Sequence, residues 1–226
     1  MALRYPIAVG EWHHCYNRGV DKRIIFETPV DYGRFLLLLY LCNGSEQIHI
    51  SNFKDRTLED FLADSSLDRG KPLVELGAYA LMPNHFHCIL QEIQRAGSPL
   101  SCNGYVPAIR CISISSATAP DHFSGPFKSK HIRDEAYLTM AVPYVLLNPA
   151  ELFDHDWKNG TSVLPKIHQK LLKYPYSSML DFIGTTRPEN TIVGNELPKY
   201  FERKPTLDEM LANAKEYYLE NVSILM

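Results

Sequence analysis

Apolar and polar residues alternate over several short stretches of this chain in the pattern of β-strands. Residues 12–20 (WHHCYNRGV) predict a strand that runs into a turn. Residues 73–82 and 85–92 predict two neighbouring strands joined by a Pro-Asn turn. A fourth strand is expected in the basic stretch 127–134 (FKSKHIRD). Strands of this length, interspersed with helical patterns, favour an antiparallel sheet.

Apolar residues at helical spacing occupy other parts of the chain. Residues 28–43 predict an amphipathic helix, with Thr28 as its N-cap and a proline in the first helical position. Residues 134–149 predict a second helix, which should end at Asn148 because a proline follows. The combination of an antiparallel sheet with helices packed on it is an α+β fold.

The remaining segments are more polar. Residues 51–72 are predicted to be a long connection, and helices are expected within 164–184 and 206–221. The proline-bearing linkers at 184–206 predict a loosely attached tail.

Length and composition indicate the size and the general class of the protein. With 226 residues, 45% hydrophobic and 22% charged, the chain is predicted to be a soluble globular protein. We expect the main domain in residues 1–160 and a C-terminal helical extension in 161–226. The longest apolar run, at 35–42, is far shorter than the roughly 20 residues of a membrane span. Because the N-terminus also lacks a signal peptide's apolar region, no membrane association and a cytoplasmic location are expected.

Cysteines and net charge narrow the possible functions only slightly. The cysteines are odd in number and form no CxxC pair, so reduced thiols are expected rather than a disulfide framework or a zinc knuckle. A net charge of -3 does not indicate nucleic-acid binding, so any such binding must come from local basic patches. The cysteines are Cys15, Cys42, Cys88, Cys102 and Cys111.

The stretch LMPNHFHCIL (81–90) places two histidines one residue apart in a predicted strand. Side chains of a strand alternate between its faces, so His85 and His87 project together and can contact one ion or one phosphate. Cys88 should point to the opposite face and pack in the core. Taken alone, such a histidine pair is more often a surface or core feature than a metal site.

A second pair of polar residues lies near the end of the helix predicted at 134–149. Tyr144 and Asn148 are four residues apart, so their side chains share one face of the helix and can approach the same ion. Tyrosine in a helix usually serves packing, so this pair is also weak evidence in isolation.

Four segments taken in order carry a more specific signal: CYNRGVDKRIIF (15–26), YALMPNHFHCIL (79–90), FSGPFKSKHIRDEAYL (123–138) and PYVLLNPAELF (143–153). Together they resemble the REP-associated tyrosine transposases, a branch of the HUH single-strand DNA nucleases. The resemblance covers most of residues 12–158 and also YPYSSMLDFIG (174–184).

The resemblance implies a ferredoxin-like antiparallel sheet with His85 and His87 on a central strand and Tyr144 on a helix beside it. It implies that Tyr144 is the nucleophile and that His85, His87 and Asn148 are ligands of a divalent metal ion. Such an ion polarises the scissile phosphate, and the phenol then forms a covalent 5'-phosphotyrosine from which the strand can be rejoined. Mixed nitrogen and oxygen ligands favour Mg²⁺ or Mn²⁺.

Two basic stretches, NRGVDKR (17–23) and KSKHIR (128–133), are candidate phosphate contacts, although each could also be a solvated strand end. The substrate that the resemblance implies is single-stranded DNA near hairpins, so aromatic stacking should contribute to binding. A monomer or a homodimer is expected. The candidate DNA-binding residues are Asn17, Arg18, Lys22, Arg23, Lys128, Lys130 and Arg133, with His131 in the same stretch.

The chain departs from the family's pattern at two places. Pro143 precedes Tyr144 and removes one helix hydrogen bond, which can kink the helix. Residues 98–121 contain serines, prolines and cysteines where the family carries an amphipathic helix, which suggests a local frameshift. Two hypotheses therefore stand: an active transposase or single-strand endonuclease, and a decayed or domesticated relative that binds hairpin DNA without cutting. An unrelated metal hydrolase would leave Tyr144 and Asn148 unexplained.

Overall fold

A four-stranded sheet forms the centre of the part of the chain that the structure, a computed structural model, describes. Its strands are β1 (Trp12–Arg18), β2 (Val74–Met82), β3 (His85–Glu92) and β4 (Lys128–His131). They lie in the order β2-β3-β1-β4, and every pairing is antiparallel. The described residues are 9–46, 48, 56–93, 123, 127–159 and 164–222. The segment 98–121, with its frameshift hypothesis, lies outside them.

Successive side chains of each strand point in opposite directions, so the sheet has two faces, and buried residues lie on both. One face, here called the site face, carries His14 and Tyr16 of β1 and His87 of β3. The opposite face carries Cys15 and Cys88, which are paired across β1 and β3 and are both fully buried in the core. The prediction that Cys88 points away from the histidines is confirmed.

Two helices are associated with the opposite face. The first, α1 (Pro29–Cys42), begins where the Asp31 carboxylate accepts hydrogen bonds from the backbone N–H and the hydroxyl of Thr28. The second, α2 (Leu58–Ala63), lies in a stretch that was predicted to be only a connection. That prediction is wrong here, because Thr57 and Asp60 form a capping box and apolar residues, including the fully buried Phe61, follow at helical spacing.

The site face is covered by α3 (Glu135–Leu147), which packs on β2 and β3. The small side chains Ala78 and Ala80 of β2 belong to the same buried cluster as Val142 of α3, so the helix can approach the sheet closely. Asn148 is the C-cap of this helix, which confirms the end predicted from the proline that follows it. Shorter helices follow: α4 (Ala150–Phe153), α5 (Leu164–Leu171) and α6 (Met179–Phe182), before α7 (Leu207–Val222). The predicted α+β class is confirmed.

The C-terminal part is firmly packed, so the prediction of a loosely attached tail is wrong. Leu197, Met210 and Leu211 are buried in the cluster that also contains Trp12 of β1. The linker was judged by its polar and proline-rich composition, but its few apolar residues reach the core between short 3-10 turns. The proposed division at residue 160 stays a prediction, although this cluster includes residues from both sides of it. In the described part of the chain, no helix is both long and apolar enough to cross a membrane.

Pro143 lies in the interior of α3, which continues across it from Glu135 to Leu147. Proline has no N–H, so the intrahelical hydrogen bond to the Thr139 carbonyl is missing, but the helix is not broken.

We expect Pro143→Ala to raise the free energy of unfolding by roughly 1–3 kcal/mol, because alanine restores this donor. Urea denaturation of the variant and of Pro149→Ala, a proline beyond the helix end, would test this. An unchanged or lower free energy of unfolding for Pro143→Ala would contradict it.

Candidate active site

The two histidines of β3 lie side by side on the site face. The centroids of the His85 and His87 rings are 5.1 Å apart, and the rings are nearly perpendicular. On β1, Arg18 is paired with His85 and Tyr16 with His87, so these four side chains project from the same face. The geometry expected from the alternation of a strand is therefore present, and the two imidazoles are close enough to contact one small ligand.

The turn before β3 determines the orientation of the His85 ring. Asn84 donates a hydrogen bond from Nδ2 to the Lys22 carbonyl at 3.2 Å, which directs its Oδ1 toward His85 Nδ1 at 2.6 Å. A carbonyl oxygen only accepts hydrogen bonds, so His85 must carry its proton on Nδ1. The lone pair of neutral His85 is then on Nε2. Lys22 itself has a positive φ of 62°, so this contact depends on an unusual backbone turn.

Asn148 faces that lone pair. Its Nδ2 donates to the Tyr144 carbonyl at 2.9 Å, which leaves Oδ1 directed at His85 Nε2 at 3.5 Å. With the proton of His85 on Nδ1, neither of these two atoms has a hydrogen to share. Two acceptors facing each other in a partly buried place are the kind of arrangement that a cation would stabilise.

His87 is held by a residue that the sequence did not single out. His14 of β1 places its Nε2 at 2.8 Å from His87 Nδ1, and the two ring planes are nearly parallel, at 26°, with centroids 5.0 Å apart. Both side chains are buried. The ring of Tyr16 lies near both, with its centroid 5.7 Å from that of His87 and 5.2 Å from that of His14. The site thus contains three imidazoles rather than two.

Burial keeps these imidazoles neutral. Burial, with smaller contributions from His14, His85 and Arg18, lowers the pKa of His87 to about 2. Burial and the ammonium group of Lys130 lower the pKa of His14 to about 4. Burial also lowers the pKa of His85, although its contact with Asn148 acts in the opposite direction. At neutral pH each ring therefore carries one N–H and one nitrogen lone pair.

Tyr144 of α3 borders the histidines. Its ring centroid is 5.7 Å from that of His87 and 5.9 Å from that of His14, both in edge-on contacts. About half of the side chain, 53%, is exposed, so the phenol is accessible to a ligand from solvent. Pro143 does not remove Tyr144 from the site. The structure therefore brings Tyr144, His85, His87 and Asn148 together.

The basic residues are divided between the faces of the sheet. Lys128 and Lys130 of β4 are paired with Tyr16 and His14, so they project from the site face at its edge. His131 alternates to the opposite face and pairs with Glu11. The ammonium group of Lys130 lies 5.0 Å from the centre of the Tyr137 ring.

The other candidate DNA contacts lie at strand ends. Arg18 and Arg133 are exposed, and Lys22 and Arg23 are exposed in the turn after β1. Asn17 is buried, and its side-chain oxygen accepts a hydrogen bond from the Arg18 backbone. Its side chain is therefore not on the accessible surface.

An open cleft of about 890 Å³ begins at the site and continues between α3 and α7. Two lysines, Lys130 and Lys158, line it, and the second is paired with Glu151 at 3.0 Å. Met140 and Tyr217 are more than half exposed on its walls. Its aromatic lining includes Tyr16, Tyr137, Tyr144, Trp157, Phe201 and Tyr217.

The sequence analysis missed His14, Tyr16 and Asn84. His14 and Tyr16 are two residues apart on β1, so a strand places them on one face, but only the pairing of β1 with β3 brings them to His87. Among the described residues, no group of three or more His, Cys, Asp and Glu side chains could hold a metal ion. The set predicted from the sequence consists of two histidines and one asparagine.

Comparison with protein-family models gives no match, and a search of curated proteins gives none either. Among solved structures, the chain is similar to a REP-associated tyrosine transposase bound to a REP hairpin. The two chains are 16% identical, with a TM-score of 0.47, and the match covers 91% of this chain and 97% of that one.

Proposed function

We propose that this protein is a metal-dependent single-strand DNA endonuclease and transposase, in which Tyr144 attacks a phosphodiester. The observation that carries the proposal is the pair of facing acceptors, His85 Nε2 and Asn148 Oδ1 at 3.5 Å, beside the accessible phenol of Tyr144. The sequence segments that contain these residues are also those that resemble the tyrosine transposases.

The donor atoms fit a hard divalent cation. Neighbouring ligands of an octahedral Mg²⁺ or Mn²⁺ ion are about 3 Å apart, which is close to the separation of His85 Nε2 and Asn148 Oδ1. His87 would be the third protein ligand, and all three donors are neutral at pH 7, which leaves the ion's charge available to a phosphate. When bound, the ion would polarise the scissile phosphate and reduce its negative charge.

Tyr144 would act as the nucleophile. Its phenolic oxygen would form a bond to phosphorus as the bond from phosphorus to the 3' oxygen breaks, with the phenolic proton passing to solvent. The leaving 3' oxygen takes up a proton, and the 5' phosphate remains attached to the tyrosine. The reverse attack by a 3'-hydroxyl would rejoin DNA, so cleavage and strand transfer use the same groups.

The surface near Tyr144 supports a single-stranded substrate. Lys128 and Lys130 project at the edge of the site face, where they can pair with phosphates despite the net charge of -3. The cleft beyond Tyr144 is lined by aromatic side chains, among them the exposed Tyr217, on which unpaired bases can stack. Paired bases do not offer their faces in this way, which favours a single strand at the cleavage point.

Hairpin oligonucleotides with single-stranded flanks, labelled at one end or the other, would test the proposal. In the presence of Mn²⁺ we expect the 3'-terminal label to move with the protein on a denaturing gel, because the 5' phosphate of that fragment is bound to tyrosine. The 5'-terminal label should appear on a free, shorter strand. Release of both labelled fragments without any protein-bound product would identify simple hydrolysis and contradict the proposal.

A further inference from the structure

We propose that His14 is a positioning residue, which holds His87 in the tautomer with the proton on Nδ1 and the lone pair on Nε2. The proposal rests on the cation site proposed above. It is carried by the 2.8 Å contact between His14 Nε2 and His87 Nδ1, in which two buried, nearly parallel rings can share only one hydrogen.

Two arrangements of that hydrogen are possible. If His87 donates from Nδ1 to His14 Nε2, the lone pair of His87 is on Nε2 and can bind a cation. If His14 donates instead, His87 must carry its proton on Nε2, and it then offers a cation a hydrogen rather than a lone pair. The tautomer of His14 therefore decides whether His87 can be a ligand.

The neighbouring histidine indicates which arrangement holds. His85 has its Nδ1 in contact with an acceptor, Asn84 Oδ1 at 2.6 Å, and its Nε2 directed to Asn148. His87 repeats this pattern, with Nδ1 in contact with His14. With His14 as the acceptor at His87 Nδ1, as Asn84 is for His85, both Nε2 atoms remain for one cation. Such outer partners commonly fix the tautomer of metal-binding histidines.

The chain offers a matched control one residue away. His13 is on the same strand and is also buried, but it points to the opposite face, where its Nδ1 contacts Ser129 Oγ at 3.1 Å. A change at His13 disturbs β1 to a comparable degree without touching His87. An effect specific to His14 is therefore distinguishable from a general effect on the strand.

The first test is the tautomer in the metal-free wild-type protein at pH 7, measured from the ¹⁵N shifts of the ring nitrogens in long-range ¹H–¹⁵N spectra. We expect His87 to be protonated on Nδ1 with an unprotonated Nε2. A proton on Nε2 would overturn the proposal. This measurement needs neither metal nor DNA, so its outcome does not depend on whether the protein cleaves DNA. Because it uses the wild-type protein, it can be made even if variants at His14 fail to fold.

The second test is Mn²⁺ affinity by calorimetry. Outer-shell partners typically change affinity by 10- to 100-fold, so His14→Phe should weaken binding by about that factor. In His14→Gln the amide oxygen can accept from His87, so affinity should return to within a few-fold of wild type. His13→Gln should leave it unchanged. Wild-type affinity in His14→Phe, or equal losses in the His13 and His14 variants, would contradict a positioning role.

Discussion

Replacement of both His85 and His87 by alanine is expected to weaken Mn²⁺ binding by more than about 100-fold, since loss of even an outer-shell partner costs up to that factor. The variant would retain only the amide oxygen of Asn148 from the proposed ligand set, and a lone amide does not hold a divalent ion. Calorimetric titration with Mn²⁺ measures the change directly, with circular dichroism to verify that the fold is retained.

A control with the same number of histidines separates this site from weak surface binding. His155 is exposed and His168 is paired with Asp208, and neither is among the residues that line the cleft. The double alanine variant at these two positions should bind Mn²⁺ as wild type does. If the His85 and His87 double variant keeps an affinity within a few-fold of wild type, the proposed cation site does not exist.

Tyr144→Phe is expected to abolish cleavage of hairpin oligonucleotides, with a rate reduction of more than roughly a thousandfold, while binding remains within about twofold of wild type. The substitution deletes only the phenolic oxygen, and the ring that contacts His14 and His87 remains. Cleavage would be measured under single-turnover conditions, and binding by fluorescence anisotropy.

The matched control is Tyr137→Phe. Tyr137 lies on the same helix and the same cleft, close to Lys130, but it has no ring contact with the histidines among those that the structure describes. Its variant should cleave at a rate within about tenfold of wild type, since only binding contacts would be changed. A Tyr144→Phe protein that cleaves normally would remove Tyr144 from the reaction.

Local patterns predicted most of the sheet and the helices that carry the site. Side chains of a strand alternate between its faces with a period of two, so the sequence predicts that His85 and His87 share one face. The same alternation correctly predicted that Cys88 lies on the opposite face. The end of α3 at Asn148 followed from the proline after it. These are effects of neighbours in the chain, which a sequence displays directly.

Contacts between distant residues were not predictable in the same way. His14 and His87 are 73 residues apart, and nothing in either segment indicates the hydrogen bond between their rings. The packing of Leu197 and Leu211 against the core likewise depends on where the linker is folded back, whereas its composition predicted a loose tail. Asn17 was grouped with Arg18 for its position in a basic stretch, but strand alternation buries one and exposes the other.

The chemistry of the site was also only partly predictable from the sequence. The residue types of the proposed ligand set follow from the resemblance, but the facing lone pairs of His85 and Asn148 depend on the hydrogen bonds made by Asn84 and by the Tyr144 carbonyl. Such orientation is a property of the folded arrangement. It is also what separates a pair of buried histidines from a candidate cation site.

The most direct test of the proposed function is to locate the DNA on the protein by mass spectrometry. Wild-type protein would be incubated with a hairpin oligonucleotide and Mn²⁺, denatured, and digested with trypsin and nuclease. We predict a nucleotide on the peptide spanning residues 134–158, with fragment ions that place it on Tyr144 and not on Tyr137. A nucleotide on Tyr137 or on a different peptide would contradict the account.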